Sequence, residues 1–96
     1  MPFSTHRMTM RLELDRTFTK RAKKLLQKNP SLRNRYFDLL TKLTNNPFDA
    51  TLHTHPLSGN LKGKYACSLT YELRVVFRLY DDIVHLLDIG AHDEVY

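Results

Sequence analysis

Five side chains in the C-terminal half of the chain are of types that move protons or hold phosphate: His55, Glu72, Arg74, His92 and Tyr96. No Cys/His cluster has the spacing of a zinc site. A histidine, a carboxylate, an arginine and a tyrosine without a metal motif suit acid–base cleavage of a phosphodiester. In that chemistry a base removes the proton of a ribose 2′-hydroxyl and an acid protonates the leaving 5′-oxygen. A guanidinium offsets the charge that builds on the phosphorane. Arg78 follows Arg74 by four residues, so the two share one face of a strand. Each of these types also has an ordinary structural use. A histidine near a C-terminus is commonly solvated, strand arginines commonly form surface ion pairs, Glu72 suits a turn, and Tyr96 can pack its ring on a sheet. His85 alternates with apolar neighbours and reads as structural, as do Tyr65 and Tyr80. Cys67 reads as a core residue, because a free thiol behaves as a small hydrophobe. His53 and His55, two residues apart, are too weak a pair for a metal site.

The elements that must position these groups can be read from periodicity. The last third, Leu61 to Tyr96, predicts three consecutive strands at 61–69, 73–80 and 83–89, with Gly90 ending the last. Asp81-Asp82 between two of them predicts a tight antiparallel turn. Upstream, Arg11 to Arg16 alternates and predicts a short first strand with Leu12 and Leu14 on one face. Asp15 or Thr17 can cap a helix to about Lys28, whose buried stripe is Phe18, Ala22, Leu25 and Leu26. Asn29-Pro30 stops it. Ser31 is placed to cap a second helix to about Thr44, buried through Leu32, Tyr36, Leu39, Leu40 and Leu43. Residues 47–60 form a loop rich in Pro, Thr, Ser and Gly, and residues 1–10, without periodicity, predict a flexible tail ahead of a single domain over 11–96. The order β-α-α-β-β-β gives an α+β fold, a helical hairpin packed on one face of a mostly antiparallel four-stranded sheet.

Ninety-six residues make one domain, and 42% hydrophobic with 26% charged residues is an ordinary globular balance. No apolar run approaches the ~20 residues that span a bilayer, and the N-terminus lacks a signal-peptide core. The lone Cys67 excludes an internal disulfide and fits a reducing cytoplasm. The net charge of +5 points to an acidic partner. Residues 1–45 carry eleven Lys/Arg against three Asp/Glu, a net +8; residues 46–96 carry four against seven, a net −3. Lys20, Arg21, Lys23 and Lys24 on the first helix, with Lys62 and Lys64, are the candidate phosphate-holding groups, joined by Arg78. Charge alone does not choose among RNA, DNA, a membrane surface and an acidic protein.

Three patterns carry a resemblance: H-x-L-x-G-x-L-K-G from His55 to Gly63, Tyr-x-x-Arg-Val-Val-Phe from Tyr71 to Phe77, and G-x-H-x-x-x-Tyr from Gly90 to Tyr96. Together they resemble toxins of the RelE/ParE superfamily, in particular RelE/StbE-type and YafQ-like messenger-RNA interferases of type II toxin–antitoxin pairs, over about Arg11 to Tyr96. The resemblance implies a ribosome-dependent, metal-independent endoribonuclease without a cofactor or a small-molecule substrate. It would cut messenger RNA in the A site of the 30S subunit, in the cytoplasm and away from membranes, and would be neutralised by a cognate antitoxin. On the same resemblance His92 matches the C-terminal catalytic histidine, the general acid, and His55 the histidine of the His-Pro-Leu loop. Arg74 matches the arginine at the scissile phosphate, Tyr96 a C-terminal tyrosine of several relatives, and Glu72 an acidic catalytic residue, the candidate base beside His55. Two positions depart from the YafQ-like pattern: a second loop histidine is replaced by Ser68, and a tryptophan by Leu73. The same fold also hosts ParE-type proteins that inhibit DNA gyrase without cutting anything, the alternative function.

Overall fold

A carboxylate starts the first helix and paired Asn/Pro signals end both long helices, so the helical half folds close to its sequence pattern. The computed structural model describes residues 9–96. The chain runs β1 (Arg11–Leu14), α1 (Arg16–Lys28), α2 (Arg33–Asn45), β2 (His55–Pro56), β3 (Tyr65–Ser68), β4 (Leu73–Tyr80), β5 (Ile83–Ala91) and α3 (His92–Val95). Asp15 caps α1 by accepting the Thr17 N–H at 3.1 Å. Ser31 does not cap α2. It lies inside a single 3₁₀ turn, Pro30–Leu32, which feeds α2 directly, and the capping position falls on Leu32 with no side-chain bond. The proline sets the start of that turn and carries the chain past the serine.

The strands form one sheet in the order β1-β5-β4-β3-β2. β1 runs parallel to β5 and every other pair is antiparallel. Five strands replace the expected four, because His55–Pro56 pairs with Ala66 and Tyr65 on the outer edge. A two-residue strand has no readable period, and proline is tolerated there only because an edge strand can leave one side unbonded. β3 is shorter than its predicted 61–69. Gly59–Leu61 forms a 3₁₀ turn and Gly63 takes φ +92°, so the chain turns before pairing begins. β5 does not stop at Gly90 but runs through it to Ala91. The Asp81-Asp82 turn is present, with Asp81 at φ +54° and Tyr80 paired with Ile83. Of the tail expected at residues 1–10, residues 1–8 lie outside the described residues. Met10 donates its N–H to the Thr44 carbonyl at 2.7 Å and packs against the core.

That core lies between the helix pair and one face of the sheet. Phe18 and Ala22 from α1 and Tyr36, Leu39 and Leu43 from α2 meet Cys67, Val75, Phe77, Val84, Leu86 and Ile89 from the strands. The Phe18 and Tyr36 rings stack with centroids 6.3 Å apart. β1 contributes Leu12, whereas Leu14 at the strand's end remains 44% exposed. Along β4 the core residues are Leu73, Val75, Phe77 and Leu79, so Arg74, Val76, Arg78 and Tyr80 point to the face away from α1. Among the described residues no helix is long and apolar enough to cross a membrane.

Candidate active site

Two register relations bring His55 and Arg74 to the same side. His55 lies opposite Ala66, and Ala66 opposite Val76, so the three share a face. Arg74 lies two residues from Val76 on the same strand and shares it too. Arg74 sits in the ladder between Ser68 on β3 and Gly90 on β5. A cleft of about 540 Å³ opens at this end of the sheet, and His55, Ser68 and Arg74 line it together with Arg35, His53, Thr51 and the turn residues Leu69, Thr70 and Tyr71. No Asp or Glu lines it.

The guanidinium is fixed from behind. Arg74 Nη1 donates to the Thr70 carbonyl at 3.0 Å and to the Tyr71 carbonyl at 2.6 Å. The turn is closed by backbone bonds from the Leu69 and Thr70 N–H groups to the Leu73 carbonyl, 2.9 and 3.3 Å. The Thr70 hydroxyl accepts from the Glu72 and Leu73 N–H groups at 3.3 and 3.1 Å. On the opposite wall, His53 takes the left-handed conformation at φ +53°, and its carbonyl lies 3.1 Å from His55 Nδ1. Asp49 caps the preceding 3₁₀ turn through the Thr51 N–H and hydroxyl at 2.9 and 2.6 Å. Those bonds from Thr51 hold the Asp49 carboxyl below its ordinary pKa.

His92 and Tyr96 form a second group beside the first. They sit at the two ends of the short α3 turn, with ring centroids 4.3 Å apart in an edge-to-face pair. The exposed His92 Nδ1 lies 3.8 Å from Asp93 Oδ1. Burial raises the Tyr96 phenol above its ordinary pKa, the Arg74 charge opposes that rise, and Cys67 adds to it. Arg74 also lies opposite Gly90, two residues ahead of His92, so the strand ladder brings the C-terminal turn to the same end of the sheet. Gly90 lets α3 fold this closely: a Cβ there would come within 2.7 Å of Glu94 Oε1, and Glu94 Oε1 accepts the Ala91 N–H at 2.8 Å.

Other sequence candidates fall elsewhere. Glu72 does not line the cleft; it lines a separate hollow with Leu25, Asn29, Ser31 and Leu32. Arg78 points to the cleft's face, but four residues along β4 puts it roughly 13 Å from Arg74. It lies opposite His85, whose neighbours Tyr80 and Glu13 complete a polar cluster at the far end of the sheet. Lys20, Lys23 and Lys24 are exposed on α1, which packs on the other face of the sheet, and Arg21 pairs with Asp88 at 3.0 Å. Lys62 and Lys64 flank the bend that leads from β2 to β3, close in sequence to His55. Two further polar cleft residues, Arg35 and Tyr71, were not among the sequence's chemical candidates. Arg35 looks like any other helix-surface arginine, and Tyr71 entered only as the first residue of the Tyr-x-x-Arg-Val-Val-Phe pattern. Among the described residues no group of three or more His, Cys, Asp or Glu converges as a metal site would.

The sequence profile of the bacterial toxin of the type II toxin–antitoxin system, YafQ, matches residues 10–96. YafQ from E. coli is 26% identical and superposes with a TM-score of 0.77, over 91% of this chain and 98% of that one. The same protein in the E. coli DinJ–YafQ toxin–antitoxin complex superposes at 0.76, over 92% of this chain and 98% of that one, at 26% identity. A copper-bound mutant toxin from Helicobacter pylori is 29% identical, with a TM-score of 0.71, over 91% of this chain and 99% of that one. No curated protein sequence matches the chain. A profile that spans the sheet, the helix pair and the histidine-bearing C-terminus covers both groups of the site, and the chain belongs to the YafQ family of bacterial type II toxin–antitoxin toxins.

Proposed function

We propose that this toxin is an endoribonuclease that cuts messenger RNA in the ribosomal A site. The observation that carries the reading is one arginine placed between two histidine-bearing groups: Arg74 lines the acid-free cleft with His55 and lies opposite Gly90, which leads into the turn where the His92 and Tyr96 rings pack. In this mechanism His55 takes the proton of the ribose 2′-hydroxyl and the 2′-oxygen attacks phosphorus. The bond to the 5′-oxygen breaks, and His92 delivers a proton to that oxygen. The products are a 2′,3′-cyclic phosphate and a 5′-hydroxyl. Arg74 stabilises the charged phosphorane, and Tyr96 holds the His92 ring in place. His55 serves better as the base than Glu72, which lines a different hollow. No step requires a metal.

The exposed lysines of α1, with Lys62 and Lys64, hold ribosomal phosphates by counterion release, while the ribosome aligns the substrate. Such a toxin works in the cytoplasm. Its partner in the cell is a cognate antitoxin, by analogy with the DinJ–YafQ complex. The test is primer extension on a reporter message with purified ribosomes, with this protein and with His92→Ala. Cuts that require ribosomes and fall ~10²–10⁴-fold in the variant are the expected result. An intact message, with loss of DNA supercoiling that survives replacement of both His55 and His92, would replace this reading with the gyrase-inhibitor alternative.

A further inference from the structure

Tyr71 has the surroundings of a docking group. The residue lines the cleft and is 91% exposed, well above the next large apolar or aromatic residue among those described, Phe37 at 56%. A lone exposed aromatic needs no explanation by itself. Here three further observations point to a ligand. The same cleft is lined by Arg35, Arg74, His53 and His55 and by no carboxylate, which fits an anionic substrate. The turn that carries the ring is rigid, closed by the Leu69–Leu73 backbone bond at 2.9 Å and by two bonds to the Thr70 hydroxyl. Finally, the guanidinium that grips the Tyr71 carbonyl at 2.6 Å is Arg74. Its Nη1 serves the two turn carbonyls and leaves the Nε and Nη2 donors for an oxyanion.

We infer that Tyr71 is a stacking platform for a nucleobase of single-stranded RNA, next to the phosphate held by Arg74, with Arg35 holding a neighbouring phosphate. This deepens the endoribonuclease reading and rests on RNA entering that cleft. The backbone that carries the ring is bonded to the guanidinium, which keeps a stacked base and a bound phosphate close to each other. Stacking accepts any base, because every base has a π-face, so the contact contributes affinity and alignment more than a base-specific code.

The test compares the protein with Tyr71→Phe and Tyr71→Ala in two assays. The first is single-turnover cleavage on ribosomes programmed with a reporter message. The second is fluorescence anisotropy with a labelled single-stranded RNA octamer over a range of salt concentrations. Tyr71→Ala should raise the half-saturating concentration about 5- to 160-fold, the range expected for one lost base stack. Tyr71→Phe should stay within about threefold of the parent, because stacking uses the ring and not the hydroxyl. The slope of affinity against salt should not change in either variant, since no phosphate contact is lost. The exposed ring supports no core contact, so both variants should melt with the parent. Unchanged saturation in Tyr71→Ala, or an equal loss in Tyr71→Phe, overturns the inference. A parent protein that binds the octamer through Tyr71 but cuts nothing overturns the endoribonuclease reading and leaves the stacking contact standing. A parent that does neither overturns both.

Discussion

The two faces of β4 alternate residue by residue yet are built to different ends. Val75 and Phe77 are fully buried under α1 and α2. Arg74 and Arg78, one residue away on either side, face the opposite side of the sheet. The buried face can exchange one hydrophobe for another of similar volume at modest cost, because packing asks for shape and not for chemistry. The open face cannot. Arg74 holds two turn carbonyls through Nη1, 2.6 and 3.0 Å away, and keeps Nε and Nη2 as a planar pair of donors that a lysine lacks. Most of the core therefore lies on one side of the sheet, while the other carries the candidate site residues His55 and Arg74 beside a smaller buried patch of Ala66 and Val76.

The largest expected break of that division is Phe77→Ala. Emptying a fully buried aromatic site costs roughly 3–5 kcal/mol, a large part of the 5–15 kcal/mol typical of a whole domain. Urea denaturation should show the midpoint falling steeply, while Arg78→Ala, exposed at the far end of the other face, should stay within about 0.5 kcal/mol. A comparable loss in both variants would erase the distinction between the faces. Arg74→Ala should do the reverse: cleavage on ribosomes falls roughly 10²–10³-fold, as for removal of one donor to a developing oxyanion. Arg74→Lys should recover only part of it. A full recovery would show that charge suffices and that the fork is incidental.

The smallest effect concerns Cys67, buried on the helix side. Burial pushes its thiol up to about 12 from an ordinary 9.0, which cuts the thiolate fraction near neutral pH roughly a thousandfold. The folded protein should resist alkylation until it is unfolded in urea. The sign for stability follows from linkage. The folded state keeps the proton that the unfolded chain gives up, so this contribution is complete below pH ~9 and declines as pH rises toward 12. The stability difference between the parent and Cys67→Ala should shrink across that window in paired urea titrations. A flat difference would mean that water reaches the thiol.

Much of the fold was legible because local rules coincide with tertiary ones. The α1 stripe of Phe18, Ala22, Leu25 and Leu26 is amphipathic in sequence and packs on the sheet in space. Asp15 caps where it was expected to. The Asp81-Asp82 turn joins adjacent strands, so its two residues decide it. Ser31 misled because its residue type suits a cap, while Pro30 imposed a 3₁₀ turn across it. Gly90 misled for a related reason. Glycine is disfavoured inside strands, but here it lies beside Glu94, a contact between a strand and the helix after it. β2 was invisible because two residues carry no period.

For the site, residue types and spacing marked His55, Arg74, His92 and Tyr96 as chemical candidates, and the resemblance assigned them roles. Sequence could not say which of them meet, because the meeting depends on strand register and on cross-strand neighbours far apart in the chain. The ladder puts His55 and Arg74 on one face, sends Arg78 to the far end of it, and leaves Glu72 over a different hollow. It also brings in Arg35 from α2, which has no distinctive local signal, and Tyr71 from the turn, which the sequence marked only as part of a pattern. Local amphipathicity and capping are properties of neighbouring residues and are written in the sequence. A cleft is a property of which surfaces close on each other, and only the tertiary structure decides that.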